Sequence, residues 1–147
     1  LMPIRCEIVS QDRIVFQGDV DIVVLPGAAG QIGVLPHHAP ALTTLDYGII
    51  TVRSKGSEQH FTVAGGIAEV QPDQVTILAD SAENVMEIDV ERANKARARA
   101  EESLKGTVEF DKDRYLRIQS ALKRSNLRLE AVRRYRKSTP HPHGMEE

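Results

Sequence analysis

Five arginines in the last third of the chain have the type and spacing of a ligand-binding group: Arg92, Arg99, Arg117, Arg124 and Arg128. At about 100° per residue, the first two lie on one flank of a helix, and Asp89 leans the same way. The other three lie within about 40° of one another on a second helix. Guanidinium forks suit phosphate oxygens. The pattern therefore predicts a groove for a ligand that carries several negative charges.

The same arginines match in height if the two helices run antiparallel around a turn near residue 108. The predicted facing pairs are Arg99 with Arg117, Arg92 with Arg124, and Asp89 with Arg128. Like charges across a hairpin repel unless an anion lies between them. Two alternatives stay open at this point: Asp89 caps its helix, and Asp113 pairs with the arginine four residues later.

No other motif in the sequence supports catalysis or metal binding. The glycines of residues 27–33 lack the Gly-Lys-Ser/Thr of a phosphate loop and precede a strand, so we assign them to turns. His37 and His38 have no third ligand for zinc, and the single cysteine, Cys6, excludes an internal disulfide. No serine, threonine or cysteine has a base in a recognisable context. We expect neither catalytic residues nor a metal site.

The first 87 residues read as short strands separated by turn residues. The segments with alternating or β-branched residues are 4–9, 13–16, 20–25, 31–35, 41–45, 48–53, 60–63, 67–70 and 74–78. About ten such strands without an intervening helix predict an antiparallel β-sandwich. Gly65 and Gly66 interrupt the pattern and mark either a bulge or sharp bend, or a plain turn.

From residue 88 the apolar period changes from two to 3.6 residues. It predicts one helix over 89–105, ending at Gly106, and a second over 111–136, which a short loop makes antiparallel neighbours. The predicted fold class is thus α+β, with a sandwich over 1–87 and a two-helix hairpin over 88–137. Residues 81–88 are the plausible linker, and 138–147, with two prolines, should form a frayed tail.

The sign of the formal charge changes at the same place in the chain as the apolar period. Apolar residues make up 41 % and charged residues 27 % of the sequence, which suits a globular domain. Residues 1–87 carry a formal charge of −7 and the remainder +5, and 112–137 holds ten basic and two acidic residues. Such a density implies an anionic partner or ligand. A nucleic-acid-binding adaptor is one alternative, but the basic helix has only Tyr115 and Tyr135 for base stacking.

Three stretches of the sequence resemble the epsilon subunit of F-type ATP synthases. The first is GQIGVLPHHAP at residues 30–40, which continues to LDYG at 45–48. The second joins VAGGIAEV at 63–70 to VTILAD at 75–80, and the third, IDVERA at 88–93, fits the motif by which some bacterial members bind ATP. The resemblance extends over residues 3 to about 135.

The resemblance implies a rotor component that couples proton flow to ATP synthesis. The sandwich would dock on the gamma subunit and the ring of c subunits, at the cytoplasmic face of the bacterial plasma membrane without entering it. Residues of the first stretch would form this stalk interface: Gly30, Gly33, Pro36, His37, His38 and Pro40. The hairpin would oppose ATP hydrolysis when it extends toward the alpha and beta subunits of the catalytic head.

In members that bind ATP, the nucleotide holds the hairpin folded. By resemblance, Ile88, Asp89 and Ala93 would border the adenine and ribose, Glu83 would lie at the edge of the pocket, and the five arginines would face the phosphates. ATP is then a regulatory ligand, with or without Mg²⁺. A constitutive structural stalk subunit without nucleotide sensing is the main alternative.

Overall fold

A computed structural model describes residues 2–106 and 111–136, in which eight strands precede a short 3-10 helix and two α-helices. The strands are β1 (Ile4–Val9), β2 (Ile14–Val20), β3 (Ile22–Gly27), β4 (Gly30–Val34), β5 (Ala41–Ser54), β6 (Ser57–Val70), β7 (Gln74–Ala79) and β8 (Ala82–Asn84). The 3-10 helix spans Val85–Glu87, α1 spans Val90–Lys105 and α2 spans Lys112–Tyr135. The predicted tail over 138–147 lies outside the described residues.

The strands form one sheet in the order β2-β1-β7-β6-β5-β3-β4, with β8 paired to β6. The two 14-residue strands, β5 and β6, hold the sheet together. One end of β6 pairs with β7 and the other with β8, so different neighbours flank it along its length. Side chains from β1 and β7 share one core cluster with those of β3 and β4. The sheet therefore folds over on itself into two layers.

The core follows the two-residue period of the strands. Ile4, Cys6 and Ile8 on β1 are fully buried, whereas the residues between them are partly exposed. Phe61 of β6 is the largest fully buried side chain and contacts the ring of Phe16. Burial raises the pKa of the Cys6 thiol to about 12, so this lone cysteine is an inert core residue.

The prediction of about ten strands was wrong in number, since the described chain has eight. Segments 41–45 and 48–53 are parts of β5, and segments 60–63 and 67–70 are parts of β6. One pairing, between β1 and β7, is parallel, in a sandwich predicted to be antiparallel. Gly65 and Gly66 do not form a turn: both have positive φ, and β6 runs through them with its register to β5 unchanged.

Residues 81–88 are not a simple linker. They contain β8 and the 3-10 helix, and Val85 and Ile88 are buried. The two helices agree with their predicted spans to within a residue or so at each end. Asp89 and Asp111 cap them, and Ala93 and Ala100 of α1 are buried.

The hairpin is docked on the sandwich through α2. Ala131 is buried in a cluster with Val85 and Ile88. The ring of Tyr135 stacks on His60 of β6 with 3.9 Å between centroids. The Arg136 guanidinium donates hydrogen bonds of 2.6 and 2.8 Å to the carbonyl oxygens of Val85 and Ile88. These contacts hold the C-terminal end of α2 against residues 85–88, which lead into α1, and against β6.

We expect docking of the hairpin to weaken as the pH falls below about 6.5, the ordinary value for histidine. Burial lowers the pKa of His60; Glu58 partly offsets the effect and Arg134 adds to it. Protonation of His60 therefore costs more in the docked state than in the undocked state, so docking is strongest at higher pH and is lost on acidification. The Tyr135 ring resonances in NMR spectra would report it, and His60→Gln should abolish the effect.

Candidate functional site

A cavity of about 220 Å³ lies where β8, the 3-10 helix and both α-helices meet. It is lined by Glu83, Glu87, Ile88, Asp89, Arg92, Ala93 and Arg128. The sandwich side contributes through β8 and the 3-10 helix, the start of α1 forms a second wall, and α2 contributes Arg128. Docking of α2 therefore completes the cavity, because it brings Arg128 to the walls formed by the sandwich side and by the start of α1.

Asp89 fixes one wall of this cavity. Its Oδ1 accepts a hydrogen bond of 3.0 Å from the backbone N–H of Arg92, so Asp89 is the N-cap of α1. This confirms the capping alternative for Asp89. A cap of this kind is worth about 1 kcal/mol and holds the first turn of the helix against the cavity. The other N–H groups of that turn point in the same direction and favour an anion there.

Arg128 is already paired within the protein. Its Nε donates to Glu83 Oε2 at 2.8 Å and its terminal nitrogen donates to Oε1 at 3.2 Å, a two-point contact between α2 and β8. About a third of each side chain is exposed. Arg92, by contrast, forms no ion pair within residues 2–106 and 111–136 and is exposed.

The charge of the lining is not what the arginine pattern alone suggests. Three carboxylates border the cavity, from Glu83, Glu87 and Asp89, against two guanidinium groups. The Glu87 carboxylate also lies 3.9 Å from Arg13 in an exposed pair. The lining of the cavity is therefore close to neutral. Its overall charge contributes little electrostatic attraction for a multiply charged anion.

A second, shallower cavity of about 310 Å³ lies nearer the turn of the hairpin. Arg99 and Arg117, which the helical spacing predicted to face each other, both line it, together with Arg114. Among the described residues, no carboxylate borders it and Asp113 forms no ion pair with Arg117. The like charges of the hairpin are concentrated here.

The predicted ligand residues are thus divided between two places. Six line the first cavity: Glu83, Ile88, Asp89, Arg92, Ala93 and Arg128. Arg99 and Arg117 line the second, and Arg124, half-buried on α2, lines neither. Sequence reasoning missed Glu87, although it directly precedes the motif at 88–93, and it missed Arg114, which lies one helical turn before Arg117.

The predicted stalk residues lie on β4 and in the loop that follows it. Gly30 and Gly33 belong to β4. Pro36 and His37 border an apolar recess of about 440 Å³ with Met2 and Leu35. His37 has a φ of 69° and donates its N–H to the carbonyl of Pro72 at 2.8 Å, which fixes the loop. His38 and Pro40 complete the loop before β5 begins.

A further apolar surface lies on the outside of the sheet. Leu42, Ile67 and Leu78 on β5, β6 and β7 are 73 %, 44 % and 57 % exposed, and the last two are register partners. An exposed apolar group on three adjacent strands is typical of a protein interface. None of the helices that the structure describes has the length and hydropathy needed to cross a membrane.

Two family models match consecutive parts of the chain. The beta-sandwich domain of the ATP synthase delta/epsilon chain matches residues 3–85. The long alpha-helix domain of the same chain matches residues 86–133.

Several curated relatives named ATP synthase epsilon chain align with this chain over most of their length. An ATP synthase epsilon chain of Dehalococcoides mccartyi is 39 % identical over 140 residues, which cover 91 % of this chain and 95 % of the relative. That of Syntrophobacter fumaroxidans is 46 % identical over 129 residues, covering 88 % and 95 %. That of Gloeobacter violaceus is 42 % identical over 131 residues, covering 89 % and 98 %.

Solved structures show the same fold. A chain in the cryo-EM structure of the Euglena gracilis mitochondrial ATP synthase superimposes with a TM-score of 0.73 at 26 % identity, over 90 % of this chain and 82 % of that one. A chain in the central stalk and c-ring structure of the Tetrahymena thermophila mitochondrial ATP synthase gives 0.57 at 14 % identity, over 88 % and 96 %.

Proposed function

Since this chain belongs to the ATP synthase delta/epsilon family as an epsilon subunit, we propose that it couples a stalk-docking sandwich to a hairpin that responds to nucleotide. The epsilon subunit is not a catalytic subunit of the synthase. Its contribution is therefore mechanical and regulatory, and two surfaces have to be assigned: one that binds the stalk and one that senses the ligand.

The sandwich binds the gamma subunit and the c-ring at the cytoplasmic face of a bacterial plasma membrane. Support comes from the loop after β4, whose recess exposes Leu35 beside Pro36, and from the apolar group on β5, β6 and β7. Both are exposed apolar surfaces of the kind that a permanent partner covers. In this position the subunit turns with the rotor and couples proton flow to ATP synthesis.

ATP is the regulatory ligand of the hairpin. The first cavity, at about 220 Å³, is smaller than the roughly 300 Å³ at which drug-sized ligand pockets begin, so it holds one end of a nucleotide and not the whole. Ile88 and Ala93 offer apolar contacts to the base and ribose. The phosphates extend from Arg92 along the hairpin toward Arg124 and the cavity of Arg99 and Arg117, which no carboxylate of residues 2–106 and 111–136 borders.

The observation that carries the regulatory role is that the cavity draws its lining from both the sandwich side and the hairpin. A ligand shifts a conformational equilibrium only by its differential affinity for the two states. Because Glu83 and Arg128 meet only when α2 is docked, ATP bound here favours the docked hairpin. When ATP is scarce, the released basic hairpin extends toward acidic loops of the alpha and beta subunits and opposes ATP hydrolysis.

Titration of the purified full chain with ATP tests the sensor. We expect saturable binding that Arg92→Ala weakens at least about tenfold, because a guanidinium paired to phosphate contributes on the order of 1.5–3 kcal/mol. Arg97→Ala is the matched control: it removes the same charge from α1 but lines a different cavity, with Arg133 and Glu130. Equal losses in the two variants would indicate general charge attraction and not a site.

One observation favours a second candidate, a constitutive stalk subunit without nucleotide sensing. The guanidinium of Arg128 is occupied by Glu83, and the cavity has more carboxylates than guanidinium groups. On this candidate the arginines serve only the extended hairpin. Absence of ATP binding by the wild-type chain would select it, while the stalk role would stand.

A further inference from the structure

We propose that Glu83 is an internal competitor of the nucleotide: its carboxylate occupies Arg128 in place of a phosphate or ribose oxygen and thereby sets the affinity of the site. This inference rests on the proposed nucleotide function and reverses the role that the resemblance gives to Glu83. The carboxylate opposes the ligand instead of binding it. It is a property of this residue pair, not of the hairpin as a whole.

The geometry of the pair supports the competition. Both oxygens of Glu83 are used on the Arg128 guanidinium, at 2.8 and 3.2 Å, and both side chains line the cavity. Glu83 takes the edge of the guanidinium formed by Nε and one terminal nitrogen, and a phosphate that uses this edge replaces the carboxylate. An anion that engages Arg128 through those donors has to displace Glu83 first.

The surroundings hold the competitor in position. Glu83 lies on β8, whose pairing with Thr62 of β6 fixes its backbone. Arg128 lies one helical turn before Ala131, so the face of α2 that docks on the sandwich also presents Arg128 to Glu83. Docking therefore brings the two together, and the carboxylate is at high local concentration whenever the cavity exists.

Glu87, the second glutamate of the cavity wall, allows competition for Arg128 to be distinguished from simple repulsion of the nucleotide by negative charge. Glu87 lines the same cavity, but its nearest cation is Arg13 at 3.9 Å and it makes no contact with Arg128 within the described residues. Removal of either carboxylate changes the charge of the lining by the same amount. Only removal of Glu83 frees Arg128.

The test measures ATP affinity of the full chain as wild type, Glu83→Gln, Glu87→Gln, and Arg128→Ala with and without Glu83→Gln. We expect Glu83→Gln to tighten binding by up to about fivefold, which corresponds to an ion pair whose side chains are about a third exposed. Glu87→Gln should give a smaller gain. The gain from Glu83→Gln should vanish in the Arg128→Ala background, since Glu83 and the nucleotide then have no guanidinium to compete for.

Each outcome decides the matter. A gain specific to Glu83 and dependent on Arg128 supports the competition, and a gain that persists in the Arg128→Ala background overturns it. Equal gains from Glu83→Gln and Glu87→Gln overturn the competition, because they would show that the total charge of the cavity lining sets the ATP affinity. Unchanged or weaker binding by Glu83→Gln, with a wild type that binds, overturns it and leaves the sensor intact. No binding by any form overturns both. Circular dichroism confirms that each variant is folded.

Discussion

Gly66→Ala is expected to destabilise the sandwich by more than about 4 kcal/mol, a large part of the roughly 5–15 kcal/mol by which folded domains are stable. Gly66 has a φ of 138°, a conformation that residues with a Cβ rarely adopt. An added Cβ would lie 2.3 Å from the carbonyl oxygen of Leu78 and 2.8 Å from the Cα of Ala79. Both atoms belong to the backbone of β7, so relief requires the β6–β7 pairing to open.

The control for Gly66→Ala is Gly30→Ala. Gly30 has nearly the same φ, 129°, but nothing lies within 4 Å of the position that an added Cβ would take, so the substitution costs only backbone strain of about 1–3 kcal/mol. Urea unfolding followed by circular dichroism measures both. The difference between the two variants isolates the close approach of β6 and β7. Similar losses would show that φ alone, and not this contact, requires glycine in β6.

The sequence predicts well what depends on local periodicity. The helices α1 and α2 were placed to within a residue or so because their apolar period and their caps, Asp89 and Asp111, lie within the elements themselves. Strand positions were placed nearly as well, but strand number was not. Asp46 to Gly48 looked like a break, yet β5 continues through it because β6 pairs with Tyr47 and Gly48, although the pairing with β3 is interrupted there.

Contacts between distant segments are the part that spacing does not reveal. Helical geometry predicted correctly that Arg99 and Arg117 lie close together, because both belong to the hairpin and line one cavity. The partner of Arg128 is on β8, 45 residues earlier, and it is set by how α2 docks. β8 itself has three residues, too few for any alternation to be recognised. No local sequence pattern therefore predicts the ion pair between Glu83 and Arg128.

The docking face explains why the hairpin has two apolar sides. The seam of α2 toward α1 includes Ser125, which is buried, whereas Ala131, Val132 and Tyr135 meet the sandwich. At about 100° per residue, Arg117, Arg124 and Arg128 lie on the same side of α2 as Ala131 and Tyr135, so the arginines continue the docking face toward the turn of the hairpin. Release of the hairpin exposes the docking face and the arginines together, so a single movement changes both apolar and charged surface.

Ala131→Glu is expected to undock the hairpin while the sandwich stays folded. Ala131 is 2 % exposed and packs on Val85 and Ile88, outside the main core of the sandwich. A carboxylate buried there without a partner costs on the order of 3–5 kcal/mol, which lowers the ratio of docked to undocked hairpin at least about a hundredfold. Since Arg128 reaches the first cavity only when α2 is docked, ATP affinity should fall by the same factor as the docked fraction.

Leu116→Glu adds the same charge to α2 at a residue that is 49 % exposed, so it should leave docking and ATP binding nearly unchanged. Loss of the NMR contact between the rings of His60 and Tyr135 reports undocking, and amide exchange in β1 and β7 reports the sandwich. In a synthase assembled with Ala131→Glu, ATP hydrolysis should be more strongly inhibited, since bound ATP no longer has a docked state to favour. Equal exchange and equal hydrolysis in both variants would show that docking through Ala131 does not control the hairpin. If the sandwich melts with the hairpin, the two form one cooperative unit, and the regulatory movement cannot be a release of α2 alone.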